Sequence, residues 1–495
     1  MNNLLTTQGE YRGDFTRDTF DPLKRFSRVL LQQGRVLLDA DWNEQNSILL
    51  HYLRTLTGDL IGEHGGTEGA FAIGVDPKAM GLTPAEEKEL KLGASDFLIG
   101  KGRYYVGGIL CENDRVLTFS TQPDSLDAKL PTVRAATNFL IYLDVWERHL
   151  SYLQDGRPGD PTIREVALGG VDTATRARVM WQVRALESDI TAANAKDYAK
   201  FLTKLDDFVR PGNGTLKARA RKPESSGEDC GCVTAPESQF RGVENQLYRV
   251  EIHTGGAGWN GTTDRKTGEA AGNVKNAATF KWSRENSSVD FAIRAPVVTG
   301  DKETTVTLVS LGRDARHSLE KNDWVEIVDD DSLLPLSPGP LLKVTGVDRD
   351  SSTVTLQGVA AGSTGKNAER HPVLRRWNQQ PGNPKNGGLT LVKEGTALVQ
   401  EGADDDHWLT LENGVQIQFQ TQKPGARYMS GDYWLIPARV ATGDVEWPGV
   451  RDDPAALSPH GVQHFYAPLA IASVDAAGKV TLNADCRRTI TPLAK

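Results

Sequence analysis

Apolar positions along the chain follow two periods. From Asp41 the period is helical: Trp42, Gln45, Leu49, Tyr52, Leu53, Leu56 and Leu60 trace one face, and Gly62 offers a stop. Asp41 and Glu44 have the i, i+3 spacing of a capping box with an acidic first turn. A short helix is predicted from Thr83, with Pro84 at the first helical position and Glu86 completing the box. Tyr198, Phe201, Leu202, Leu205 and Phe208 mark a third helical stretch within Thr191 to Val209. Before the first helix, the run Arg25 to Asp39 holds two short apolar clusters around Gly34. It suits a tight hairpin or a broken helix, and periodicity does not choose.

Elsewhere the period is two. Arg103 to Val106 and Ile109 to Glu112 are separated by Gly107-Gly108, a two-residue hairpin signal. Phe139 to Trp146 and Ala177 to Arg184 read as longer strands rich in β-branched and aromatic residues. Beyond residue 240 short strands follow at even intervals, from Leu247–His253 to Thr353–Leu356. Val415 to Phe419 follows Leu409 across Asn413-Gly414, a strong hairpin signal, and Tyr433–Ile436, Leu469–Ile471 and Val480–Leu482 complete the set. The expected fold class is mainly β with a few helices, in several domains: an α+β N-terminal part and β-barrel or sandwich modules after it. The expected division is an extended arm over 1–23, an α+β domain over 24–209, a linker over 210–240, a β module over 241–360 and a second over 361–495.

Charge and composition narrow the function. The 57 basic and 65 acidic side chains leave a net charge of −8, which argues against a general nucleic-acid binder. Four cysteines among 495 residues cannot form a disulfide scaffold, and Cys230-Gly-Cys232 lacks the second pair of a structural zinc site. No apolar run approaches the ~20 residues of a membrane span. No basic and apolar leader opens the chain, so cytoplasmic synthesis without a signal peptide is expected.

Candidate chemistry is sparse. Asp329-Asp330-Asp331 and Asp404-Asp405-Asp406 do not follow a calcium-loop spacing and read as solvated turns. The histidines are scattered, and no metalloprotease, nucleophile-elbow or phosphate-loop motif occurs. No catalytic residue, cofactor or metal is therefore expected. Trp259 and Trp447, next to glycine and proline, are candidate exposed aromatic platforms for a sugar, whereas the tryptophans inside strand patterns are expected in cores. The arm is a natural docking element, and Tyr11, Arg12, Asp14, Phe15, Arg17 and Phe20 are its candidate partner-binding residues.

Five segments are more distinctive than any catalytic motif. They are Tyr11 to Pro22, Phe26 to Gln45, Arg241 to His253, Thr279 to Arg284 and Gly431 to Arg439. Together they resemble a bacterial family known only as a domain of unknown function, whose members look like components encoded alongside phage-tail-like contractile injection systems. The resemblance implies a structural or adaptor subunit of such a particle, at its baseplate, fibre or outer decoration. Its partners would be other particle subunits and further copies of itself in a symmetric assembly, with release outside the cell after assembly. A glycan- or surface-binding module is the second expectation, and a delivered cargo effector the third.

Overall fold

The computed structural model describes residues 11–491 apart from 94, 125–137, 157–161, 210–211, 222–238, 260, 262–271, 273, 313, 315, 335–336, 384–386, 393–394 and 422–426. The chain is mainly β and multi-domain, with several antiparallel sheets and few helices.

Several predicted elements form where local chemistry placed them. The helix Pro84–Leu90 opens on the Thr83 capping box. Strands Gly102–Val106 and Ile109–Asn113 pair across Gly107 and Gly108, both in the left-handed region at φ 56° and 78°. A side chain at Gly108 would also stand 2.6 Å from the Arg54 carbonyl oxygen, so this turn seats directly on the backbone of the first helix. The helical stretch after Thr191 is two helices, Ala192–Lys196 and Tyr198–Val209. Asn413 and Gly414 turn at φ 49° and 85° before the strand Val415–Thr421.

The first helix, α1, spans Asp39–Ile61 and ends at Gly62. Its N-terminus departs from the predicted box: Leu38 is the cap and makes no side-chain bond, while Asp39 and Asp41 supply the acidic first turn. The predicted apolar face is also not a core face. Only Ala40 and Ile48 of α1 are buried, and Trp42, Leu49, Tyr52, Leu53, Leu56 and Leu60 all lie in solvent. Residues 25–38 form neither a paired hairpin nor a helix; they run extended around a turn at Gln33-Gly34.

Strand pairing redraws the expected domains. In the N-terminal domain, the order is Val480–Asp485, Phe465–Val474, Asn138–Leu150, Arg176–Glu187, all antiparallel. The last strands of the chain thus complete the first domain. One face of this sheet packs on the Gly107-Gly108 hairpin through Ile141, Leu143, Val145, Tyr104 and Ile109, and the other is covered by the helices around Phe201 and Leu205.

A second domain pairs Gln246–Thr254 with Thr279–Ser283 on one side and Tyr433–Arg439 on the other. Its core is shared with a smaller sheet in which Gly214–Ala220 pairs with Val415–Thr421. The expected linker over 210–240 therefore contains a strand. Leu216, Ala218 and Ala220 are buried and alternate with Lys217 and Arg219, a period-two pattern whose small alanines give a weak apolar signal. Residues 222–238 of that linker, with Cys230 and Cys232, lie outside those described.

Residues 290–377 form a third unit, a seven-stranded antiparallel sheet inserted between partners of the second domain. A bridge from Ile293 to Leu308 brings its first strand back to Glu303–Thr307 and closes the sheet. The boundary expected near 360 consequently falls inside this unit. Antiparallel partners are chosen by face-to-face packing across the chain, which neighbouring residues do not encode.

Candidate functional site

The arm does not hang free. Arg12 is 8 % exposed, and its guanidinium lies 2.8 Å from Glu251 and 3.0 Å from the Ser287 hydroxyl. Glu251 stands on the central strand of the second domain, where Arg249 also donates to it at 2.6 Å and Lys281 lies 3.5 Å away. Lys281 in turn pairs with Glu326 of the inserted unit at 2.6 Å, and the Trp377 indole donates to the same carboxylate at 3.0 Å. The cations are further held by rings, Arg249 over Tyr433 at 3.6 Å and Lys281 over Trp377 at 4.4 Å. Burial opposes ionisation of Glu251, yet Arg12, Arg249 and Lys281 hold its carboxyl well below the usual range. Burial, and then the charge of Lys281, brings His253 on the same strand down to about 4.

Backbone bonds extend the grip. The Tyr11 carbonyl accepts from Arg249 at 3.1 Å and from Asn286 at 3.3 Å, and the Gly13 carbonyl accepts from Asn286 at 3.1 Å. Arg439 donates to the Thr16 carbonyl at 2.8 Å, and Arg17 pairs with Glu446 at 2.9 Å. Phe15 packs edge-on against His149, and Phe20 lies against His51 of α1. Asp14 is exposed and faces the cleft described below. Of the six arm residues singled out from sequence, five are thus engaged with the chain's own body. The expectation of an arm available to a partner is corrected over residues 11–20, because its strongest groups satisfy buried partners within the chain. Residues 1–10 lie outside those described.

The same contacts position α1. The Tyr11 hydroxyl donates to Glu147 at 3.2 Å, and Arg54 of α1 pairs with the other oxygen of that carboxylate at 2.7 Å. The Thr16 amide donates to Asp39 at 2.8 Å, the Thr19 hydroxyl to Glu44 at 2.6 Å, and the Val29 amide to Gln45 at 2.9 Å. Polar contacts therefore tether one side of α1 to the arm and to strand Asn138–Leu150. Beneath the helix remains a cleft of about 1470 Å³, bounded by the arm, by Asn43, Ser47 and Leu50 of α1, and by His149 and Arg176 of the sheet.

Beyond the arm the chain presents an unusual surface. Fourteen large apolar side chains between Leu23 and Leu60 are exposed, whereas eleven more are spread over the rest of the described chain. Leu30 is 69 % exposed and Val36 81 %, and the leucines of α1 continue the patch. Exposed apolar side chains concentrated in one stretch like this differ from the singly scattered ones of an ordinary monomer surface. Sequence reasoning found the helical face of Trp42–Leu60 and the apolar clusters of residues 25–39, but periodicity did not say what covers them.

The remaining candidates resolve differently. Trp259 is 8 % exposed and packs with Ala277 and Leu398, which corrects its expectation as an exposed platform. Trp447 is half-buried against the second-domain core, and its indole donates to Ala455 at 2.8 Å. Asp329 caps a short helix, and Asp330 pairs with Arg148 at 2.5 Å and His371 at 2.8 Å. Among the described residues no three His, Cys, Asp or Glu side chains are grouped to hold a metal ion. Likewise, no described helix is long and apolar enough to cross a membrane.

A β-rich, multi-domain chain with a self-docked arm and a large exposed apolar segment is the class this geometry defines. The family model for the Family of unknown function (DUF6519) matches residues 11–215 and 210–493, and the chain belongs to that family. No curated protein and no solved structure matches it.

Proposed function

We propose that this chain is a non-catalytic structural subunit that enters a larger assembly through residues 23–60. The observation that carries this reading is the apolar surface of that segment, which holds fourteen of the twenty-five exposed large apolar side chains of the described residues on a chain of net charge −8. Apolar area of this extent is costly in water and is characteristic of a contact face. The arm supplies a root for it, since Arg12 ties the arm to the body and Thr16 and Thr19 tie the arm to Asp39 and Glu44 at the start of α1. The assembly we name is a contractile, phage-tail-like particle, on the strength of the motifs in Tyr11–Pro22 and Phe26–Gln45 that resemble components encoded with such systems.

The test is sedimentation of particles from cells that encode this chain. A tagged wild type should travel with the heavy fraction at fixed stoichiometry. A Leu30→Asp/Leu31→Asp/Val36→Asp variant, altered only at exposed positions, should fold and remain in the light fraction. Equal incorporation of both proteins would overturn the reading.

A further inference from the structure

The solvent face of α1 is ordered. Trp42, Asn46, Leu49, Leu53, Leu56 and Leu60 follow one another at alternating steps of four and three residues, and every one is exposed. That is the seam of a heptad repeat over a helix of 23 residues. From Leu49 to Leu60 it points away from the body, which holds α1 on its other side through Ala40, Ile48 and Arg54. Trp42 and Asn46, though exposed, also line the mouth of the cleft.

We propose that this seam is where a second copy of the chain binds, α1 against α1, as a parallel bundle. The proposal rests on the assembly reading above and names the partner for one part of its surface. The spacing itself selects a helix of the same period, because a and d side chains interlock only with matching holes. The flanking residues Asn43, Gln45, Leu50, Tyr52, Thr57 and Asp59 carry one carboxylate and no cation. Nothing there repels an identical helix strongly, and nothing selects a charged partner. Leu50 and Tyr52 beside the seam are exposed as well and extend its apolar face past the a and d positions.

Asn46 decides the direction. Its amide donates to the Trp42 carbonyl of its own helix at 3.0 Å. In a parallel pair the two Asn46 side chains meet across the axis and bond each other, as single polar seam residues do when they fix register. An antiparallel pair would set each amide against leucine with no partner. The area suffices when the neighbouring segment joins the contact: the exposed apolar side chains of α1 together with those of residues 23–38 offer on the order of 1,500 Å² per copy, against ~800 Å² per partner in a standard interface.

Sedimentation velocity of the full chain tests this. The wild type should sediment as a dimer or larger species. Leu53→Lys/Leu56→Lys should sediment as a monomer with an unchanged circular dichroism spectrum and a cooperative melt, while Thr55→Lys, exposed but off the seam, should stay assembled. Should the double variant misfold, Asn46→Cys in a Cys230→Ser/Cys232→Ser background serves instead, because parallel helices cross-link it to itself on mild oxidation. A monomeric wild type, an assembled double variant or no cross-link would each overturn the proposal. If the monomeric wild type nevertheless enters particles, self-association fails and the assembly role stands. A self-associating chain whose Leu30→Asp/Leu31→Asp/Val36→Asp variant enters particles normally shows the reverse.

Discussion

Arg12 and Glu251 form an ion pair at 2.8 Å, with side chains 10 % and 5 % exposed, that ties the start of the described chain to the central strand of the second domain. Such a pair gains little over an apolar substitute, but breaking it strands a charge in the interior. Its consequence is positional. With Arg12 fixed, Tyr11 before it reaches Glu147 and Thr16 after it reaches Arg439 and Asp39, and α1 is presented at one place on the body.

Removing the cation alone should be severe. Arg12→Ala should cost about 3–5 kcal/mol in urea unfolding, since Glu251 loses a buried partner. Glu251→Gln should also destabilise, because Arg249 and Lys281 lose their carboxylate, and Arg12→Ala/Glu251→Gln should cost less than the sum of the two single changes. Additive effects in this double-mutant cycle would show that the two groups do not interact.

Glu147 links three elements through Tyr11 and Arg54. Glu147→Ala should therefore loosen α1 more than the sheet. Hydrogen exchange should show protection in α1 falling by roughly tenfold, equivalent to about 1.4 kcal/mol, with that of strand Arg176–Glu187 little changed. Uniform loss across both would place the effect in the domain as a whole.

His253 offers a pH signature. Its pKa is brought down from 6.5 to about 4 by burial and by Lys281, with Glu326 and Glu251 acting in the opposite direction. Between these values the unfolded chain takes up a proton that the native chain refuses. Stability from this group is thus complete above about pH 6.5 and is lost as pH falls, by about 1.4 kcal/mol per unit. His253→Gln should lower stability at pH 7 and be relatively less damaging at pH 5, as judged by urea midpoints. An identical penalty at both pH values would mean that His253 titrates normally.

Trp259→Ala should behave as a core truncation. Its ring packs on Ala277 and Leu398, so a loss of about 3–5 kcal/mol is expected on thermal or urea unfolding. A change near zero would mean that the ring is in solvent after all.

The return of the chain end to the first domain has its own test. A fragment ending before Phe465 loses the strand paired with Phe139 to Val145. Residues 11–209 alone should therefore fail to melt cooperatively, and a fusion that restores residues 461–491 should regain the transition. A cooperative melt of the shorter fragment would refute the interleaving.

Local chemistry made much of the fold legible. The Thr83 box, the Gly107-Gly108 and Asn413-Gly414 turns and the β-branched runs of Phe139–Trp146 depend on neighbours within a few residues. The arm's motif was legible as distinctive, but its partners Glu251, Asn286 and Arg439 lie far along the chain, so its docking could not be read. The strand Gly214–Ala220 was missed because alternating alanines and cations resemble a polar linker.

By itself, then, the sequence determined most of the helices, turns and strands, because those choices rest on backbone geometry and short-range bonds; it did not determine the strand Gly214–Ala220 or the path of residues 25–38. It also carried the spacing of Trp42 to Leu60. Only the tertiary structure decided that this face of α1 points into solvent, that Phe465–Val474 belongs with Asn138–Leu150, and that Arg12 is an internal anchor. Burial and pairing depend on which distant surfaces meet, and periodicity describes a face without saying what covers it.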